Sequence, residues 1–235
     1  MLVVVGAALS YPTAAAADSL TFTGLGDGAW VSFTAGGQTI SGWSGEIEWL
    51  LKTPSNTVGK ALETYCSDLF DDAKLPTQTG TFETTSALTP TTTLGANQYS
   101  GARAAYLVNT YAAGATTDAY AAGLQLAIWE AMFGPFTTPT TGTSKTGATV
   151  TGIGAFASLF YNDVMSKNPT TLTSAAGFFD VPNSLALSGV NANGQDQITS
   201  VPEPGQLMLI GLAMTGLLIY QTRRKPQFAR VRSDI

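Results

Sequence analysis

The chain changes its hydrophobic period part-way along, and that change limits it to a mixed architecture. Through the first third, apolar and small polar residues interleave, around Leu20-Thr21-Phe22-Thr23, Trp30-Val31-Ser32-Phe33-Thr34 and the strict alternation Glu46-Ile47-Glu48-Trp49. A period of two is the signature of strands. Later the spacing becomes helical. Ala104, Leu107, Val108 and Tyr111 share a stripe in 101–113, as do Ala121, Leu124, Ile128 and Met132 in 118–133. Phe156, Leu159, Phe160 and Val164 do the same in 153–167. Thr117 or Asp118 is placed to cap the second helix, and Gly134-Pro135 to end it. A final β stretch at 178–181 and 185–190 precedes Gln197-Ile198. The Thr-, Pro- and Ser-rich runs 76–98 and 134–151 read as long loops or edge strands, because the elements around them are too short for separate cores. The expectation is one α+β domain, rich in β, with about three helices.

Composition removes several function classes. Only 11% of residues are charged, against roughly 25% in a typical soluble domain, while 44% are apolar. The net charge of −5 is unevenly spread: five of the eleven cations lie in the last thirteen residues, and 1–222 carries −9. That sign disfavours nucleic acid as a partner. No histidine is present, so His-dependent triads and His-ligated metals are excluded within the chain. Cys66 is the sole cysteine, so no intrachain disulfide forms. Asp68, Asp71 and Asp72 lack the ligand order of an EF-hand, and no metal or other cofactor is expected. Glu46 and Glu48 alternate on one strand face and read as exposed, not as a glycosidase pair. Gly24-x-Gly26-x-Gly28 reads as turns, since no helix or lysine follows to make a phosphate loop.

The ends carry targeting signals. Residues 2–9 are apolar, and Ala15-Ala16-Ala17 offers a cleavage site, so 1–17 is expected to be a signal peptide without the usual positive start. Near the other end, 204–222 runs nineteen residues without a charge and meets Arg223-Arg224-Lys225. At about 1.5 Å per residue that length spans a bilayer, with the basic cluster as a stop. It is expected to form a transmembrane helix, leaving 226–235 as a cytoplasmic tail. Val201-Pro202-Glu203-Pro204 stands directly before it. Pro-Glu-Pro, a short apolar segment and an Arg-rich end together resemble the PEP-CTERM sorting signal, over 201–225. The resemblance implies a Gram-negative envelope protein, held at the inner membrane and then processed by an exosortase toward the outer surface or extracellular matrix. The tail here is longer than that signal usually needs.

Between the ends, 18–200 forms the ectodomain. Tyr65-Cys66 closes an expected strand, and Gln125-Leu126-Ala127-Ile128-Trp129 lies within the second helix. A Gln among apolar neighbours needs partners for its amide, or its burial costs roughly 1–3 kcal/mol. These residues resemble the thioester domains of bacterial surface adhesins, over 60–135, including Ala104-Ala105-Tyr106-Leu107 upstream. The resemblance implies that the Cys66 sulfur attacks the Gln125 side-chain carbonyl with loss of ammonia. Tyr65, Ala127, Ile128 and Trp129 would supply the surrounding packing. Leu124 stands where that family commonly has Thr or Ser. The implied product is a stored electrophile, open to an amine or hydroxyl on a partner surface or matrix, single-turnover and not a turnover enzyme. The other reading from the same residues is a non-covalent structural or matrix-binding envelope protein, with Cys66 and Gln125 simply buried.

Overall fold

The computed structural model describes residues 17–69, 75–85, 99–168, 172, 176–180 and 197–200. Within them the order is β1 (Asp18–Ala35), β2 (Gln38–Thr53), β3 (Asn56–Cys66), β4 (Thr77–Thr85), α1 (Ser100–Tyr111), a 3-10 turn (Ala112–Gly114) and α2 (Asp118–Phe133). Then come β5 (Thr141–Thr143), β6 (Thr149–Thr151), α3 (Ile153–Ser166), β7 (Ala176–Asp180) and β8 (Gln197–Ser200).

All the strand pairings are antiparallel, and six strands return on themselves. β1 pairs β2, β2 pairs β3, β3 pairs β8, β8 pairs β7, β7 pairs β4, and β4 pairs β1. This closed ring removes the exposed edges that an open sheet leaves. The β5–β6 hairpin extends it from the free side of β1, where Trp30 pairs Thr143. The long β1–β2 hairpin turns through Gly36 and Gly37, both at positive φ (57° and 80°), between paired Ala35 and Gln38. A two-residue loop with both centres left-handed matches the right-handed strand twist, and glycine takes it without strain. The Gly24–Gly28 run forms no turns. It lies within β1 at two register shifts, where a Cβ on Gly26 would stand 2.6 Å from the Glu46 Cβ. These glycines let β2 approach β1 closely.

Helix α2 is the centre of the domain. Thr117 caps it by accepting from the Tyr120 N–H at 3.3 Å, and the Gly134 N–H closes it on the Glu130 carbonyl at 2.9 Å. The sequence pattern marks a single stripe, but every residue from Ala121 to Phe133 is buried. The helix contacts α1, α3, β1 and β2, so its whole circumference is covered. Contact with α3 is close at Gly123, where a Cβ would meet the Phe156 Cβ at 2.5 Å. On the other side, Ser44 Oγ of β2 donates to the Ala122 carbonyl at 2.9 Å.

The α+β class and three α-helices agree with the structure, but the transmembrane helix does not form part of it. Among the described residues no helix is long and apolar enough to cross a membrane. The longest, α2, has 16 residues, which at 1.5 Å each reach roughly 24 Å of the 30 Å hydrocarbon core. Its apolar surface is already spent on the domain's own core. Residues 204–222, with Arg223, Arg224 and Lys225, lie outside the described residues, so inner-membrane anchoring through a C-terminal helix has no structural support. Residues 1–16 of the expected signal segment 1–17, Pro202-Glu203-Pro204, the tail, Asp71, Asp72 and the 185–190 stretch also lie outside them.

Candidate functional site

Cys66 is the last residue of β3, and Gln125 lies in the buried middle of α2. The fold brings these two residues, 59 apart in sequence, into direct contact. The Cys66 N–H donates to Gln125 Oε1 at 2.8 Å, and Gln125 Nε2 donates to the Cys66 carbonyl at 2.7 Å. Gln125 is fully buried and Cys66 nearly so, at 0% and 3% exposure. Both ends of the amide are satisfied by one residue's backbone, which answers the energetic question that a buried Gln poses.

A second glutamine completes the cluster. Gln197 of β8 sits opposite Cys66 in the ladder, and its Nε2 lies 3.6 Å from Cys66 Sγ as a donor. Thr64 Oγ1 donates to Gln197 Oε1 at 2.7 Å. Cys66 is thus held on its backbone by the amide of Gln125 and at its sulfur by the amide of Gln197. Gln197 and Thr64 were not legible as site residues. More than 130 positions separate β8 from Cys66, and no local pattern announces that pairing.

The residues expected to pack the motif are all buried. Ala127 and Ile128 are inaccessible, and Tyr65 nearly so. Trp129 lies against Phe33, ring centroids 5.9 Å apart, and Phe33 stacks on Phe136 at 4.5 Å. The Trp129 indole N–H is buried without a hydrogen-bond partner among the described residues. Tyr65 turns away from Cys66 to donate its hydroxyl to Glu46 Oε1 at 3.1 Å.

Glu46 corrects the reading of an exposed acidic face. It is buried, because α2 covers the face of β2 that would otherwise be wet. Besides Tyr65 it accepts from the Asp27 N–H at 3.3 Å. Burial raises its carboxyl above the ordinary 4.5, opposed by those hydrogen bonds and assisted by the charges of Glu63 and Asp27. Burial, then Glu46 itself, also raises the Tyr65 phenol. A carboxyl raised in the folded state holds a proton that the unfolded chain releases. Its stabilising contribution is complete below pH 4.5 and is lost as pH rises through the folded-state value. Denaturant melts across pH 4 to 8 should therefore show Glu46→Gln gaining stability relative to the parent as pH rises. A constant difference between the two would show that folding leaves the proton affinity of Glu46 unchanged.

Among the described residues, no group of three or more His, Cys, Asp or Glu is placed to hold a metal ion. Cys66 forms no disulfide. No protein-family model, curated protein or solved structure matches the chain.

Proposed function

We propose that this chain is a non-catalytic structural or matrix-binding envelope protein in which the Cys66–Gln125 contact is a permanent, non-covalent brace. The observation that carries this reading is the use of both amide atoms. Oε1 accepts from the Cys66 N–H and Nε2 donates to the Cys66 carbonyl. An amide held in this way is a stable end state and needs no reaction to account for its burial. The brace joins the central helix to the end of β3, and Gln197 joins that point to β8. The envelope setting, and an exosortase as partner, rest on the Pro202-Glu203-Pro204 resemblance.

A second reading is favoured by one specific contact. The Cys66 N–H polarises the Gln125 carbonyl, the group that Cys66 Sγ would attack to form an internal thioester. In that step the Sγ–Cδ bond forms and the Cδ–Nε2 bond breaks. The thiol proton leaves with the nitrogen as ammonia. A partner's amine or hydroxyl would then take the acyl group and release the Cys66 thiolate. Two features weigh toward the non-covalent reading: Nε2 is anchored on the Cys66 carbonyl, and no histidine is available to move protons.

Mass spectrometry of the purified full chain separates the two. The brace predicts an unmodified mass across both residues, whereas a thioester lowers it by one ammonia, a deficit that Cys66→Ala abolishes. The same spectrum locates the mature C-terminus. An end near Pro202-Glu203-Pro204 supports exosortase processing, and an intact Ile235 counts against it.

A further inference from the structure

A small cavity of about 170 Å³ lies between the helices, lined by Arg103 of α1, Glu130 of α2, Tyr161 and Met165 of α3, with Gly134 and Pro135 beside them. Arg103 is its unusual member. The residue is only 7% exposed, and its Nε is buried without a hydrogen-bond partner. No ion pair joins it to Glu130, although both line the same space. A guanidinium nitrogen buried with no partner among the described residues is costly, and proteins normally satisfy such groups. The Glu130 carboxyl is turned to the Thr138 hydroxyl, which donates to its Oε1 at 2.9 Å. The cavity reaches solvent beside exposed Pro135 and Met165, so a ligand has a way in.

We propose that this cavity binds the carboxylate of a small acidic ligand, with the Arg103 guanidinium as its anchor and Glu130 and Tyr161 receiving neighbouring hydroxyls. Each part follows from the lining. A planar fork of donors matches a carboxylate in two-point fashion. The carboxyl of Glu130 in the same space works against a doubly charged phosphate, and favours a singly charged acid that also carries hydroxyl donors. The volume is well below the roughly 300–1,000 Å³ of drug-sized sites, which restricts the occupant to one sugar ring or a short organic acid. Two sources share this chemistry: a uronate residue of an acidic polysaccharide, or a free hydroxy acid. The inference gives the matrix-binding reading a ligand class and rests on that reading for the polysaccharide source only. An ammonia deficit at Gln125 would sink the non-covalent brace and leave this cavity untouched, so the two fail separately.

Saturation-transfer NMR and calorimetry on the full chain with galacturonate, lactate and neutral galactose test it. Binding of galacturonate but not galactose supports the site and the polysaccharide source. Binding of lactate alone supports the site and the free-acid source. In either case Arg103→Met should weaken binding by about tenfold or more, and Arg103→Lys, which keeps the charge but loses the fork, by less. The parent's melting temperature should rise with the acid that binds, and the Arg103→Met variant's should not. Galactose binding as well as galacturonate would overturn the proposal, as would no binding by either acid or equal affinity in the Met variant.

Discussion

Replacing Gln125 with Leu should destabilise the domain by about 2–4 kcal/mol, the largest effect expected of any near-isosteric change in α2. Leucine fills the space, so the loss reports hydrogen bonding and not a cavity. The Cys66 N–H and carbonyl each lose the partner now held at 2.8 and 2.7 Å. Removing one side of a buried pair costs more than the net value of the bond, because the remaining group was desolvated for it. Gln125→Glu should also destabilise at neutral pH, since a carboxylate oxygen would then face the Cys66 carbonyl in place of the Nε2 donor. Urea denaturation gives both values. A Gln125→Leu variant within about 0.5 kcal/mol of the parent, the range of an ordinary surface change, would show that the amide contributes little to the brace.

A larger loss, from a change that does open a cavity, is expected one turn along, at Trp129. Trp129→Ala should cost about 3–5 kcal/mol, the range for removing a buried large aromatic. The ring lies between α2 and the β1 residue Phe33, which continues onto Phe136, so its loss opens a hole at the helix–sheet seam. Trp129→Phe should cost much less, under about 1.5 kcal/mol. It keeps most of the apolar contact and discards an indole N–H that has no hydrogen-bond partner among the described residues. Equal losses in the two variants would mean that the N–H, not the ring's bulk, is what the site needs.

These two residues also show what was legible in advance. The limits of α2 follow from local chemistry: a Thr cap, one helical turn after another of good formers, then Gly134. Gln125 and Trp129 stand out because a polar amide on an apolar stripe demands partners. What local pattern cannot carry is the set of partners. Gln197 comes from a four-residue strand, too short to register as a period. Its place opposite Cys66 depends on a ring that closes through strands far apart in the chain. Glu46 was misplaced for the same reason. Alternation locates the strand, but which face is wet depends on where α2 lands. Arg103 sits beside the stripe of α1, and only the packing of three helices encloses it. The apolar run at 204–222 is a strong local pattern that lies outside the described residues.

The structural claim at the centre of this account is that Cys66 and Gln125 are joined through hydrogen bonds alone. Peptide-level mass spectrometry of the native chain, alkylated only after unfolding, tests it most directly. The account predicts Gln125 with its amide intact and Cys66 fully alkylated. A native chain lighter by one ammonia, with Cys66 resistant to alkylation until an amine is added, would contradict it.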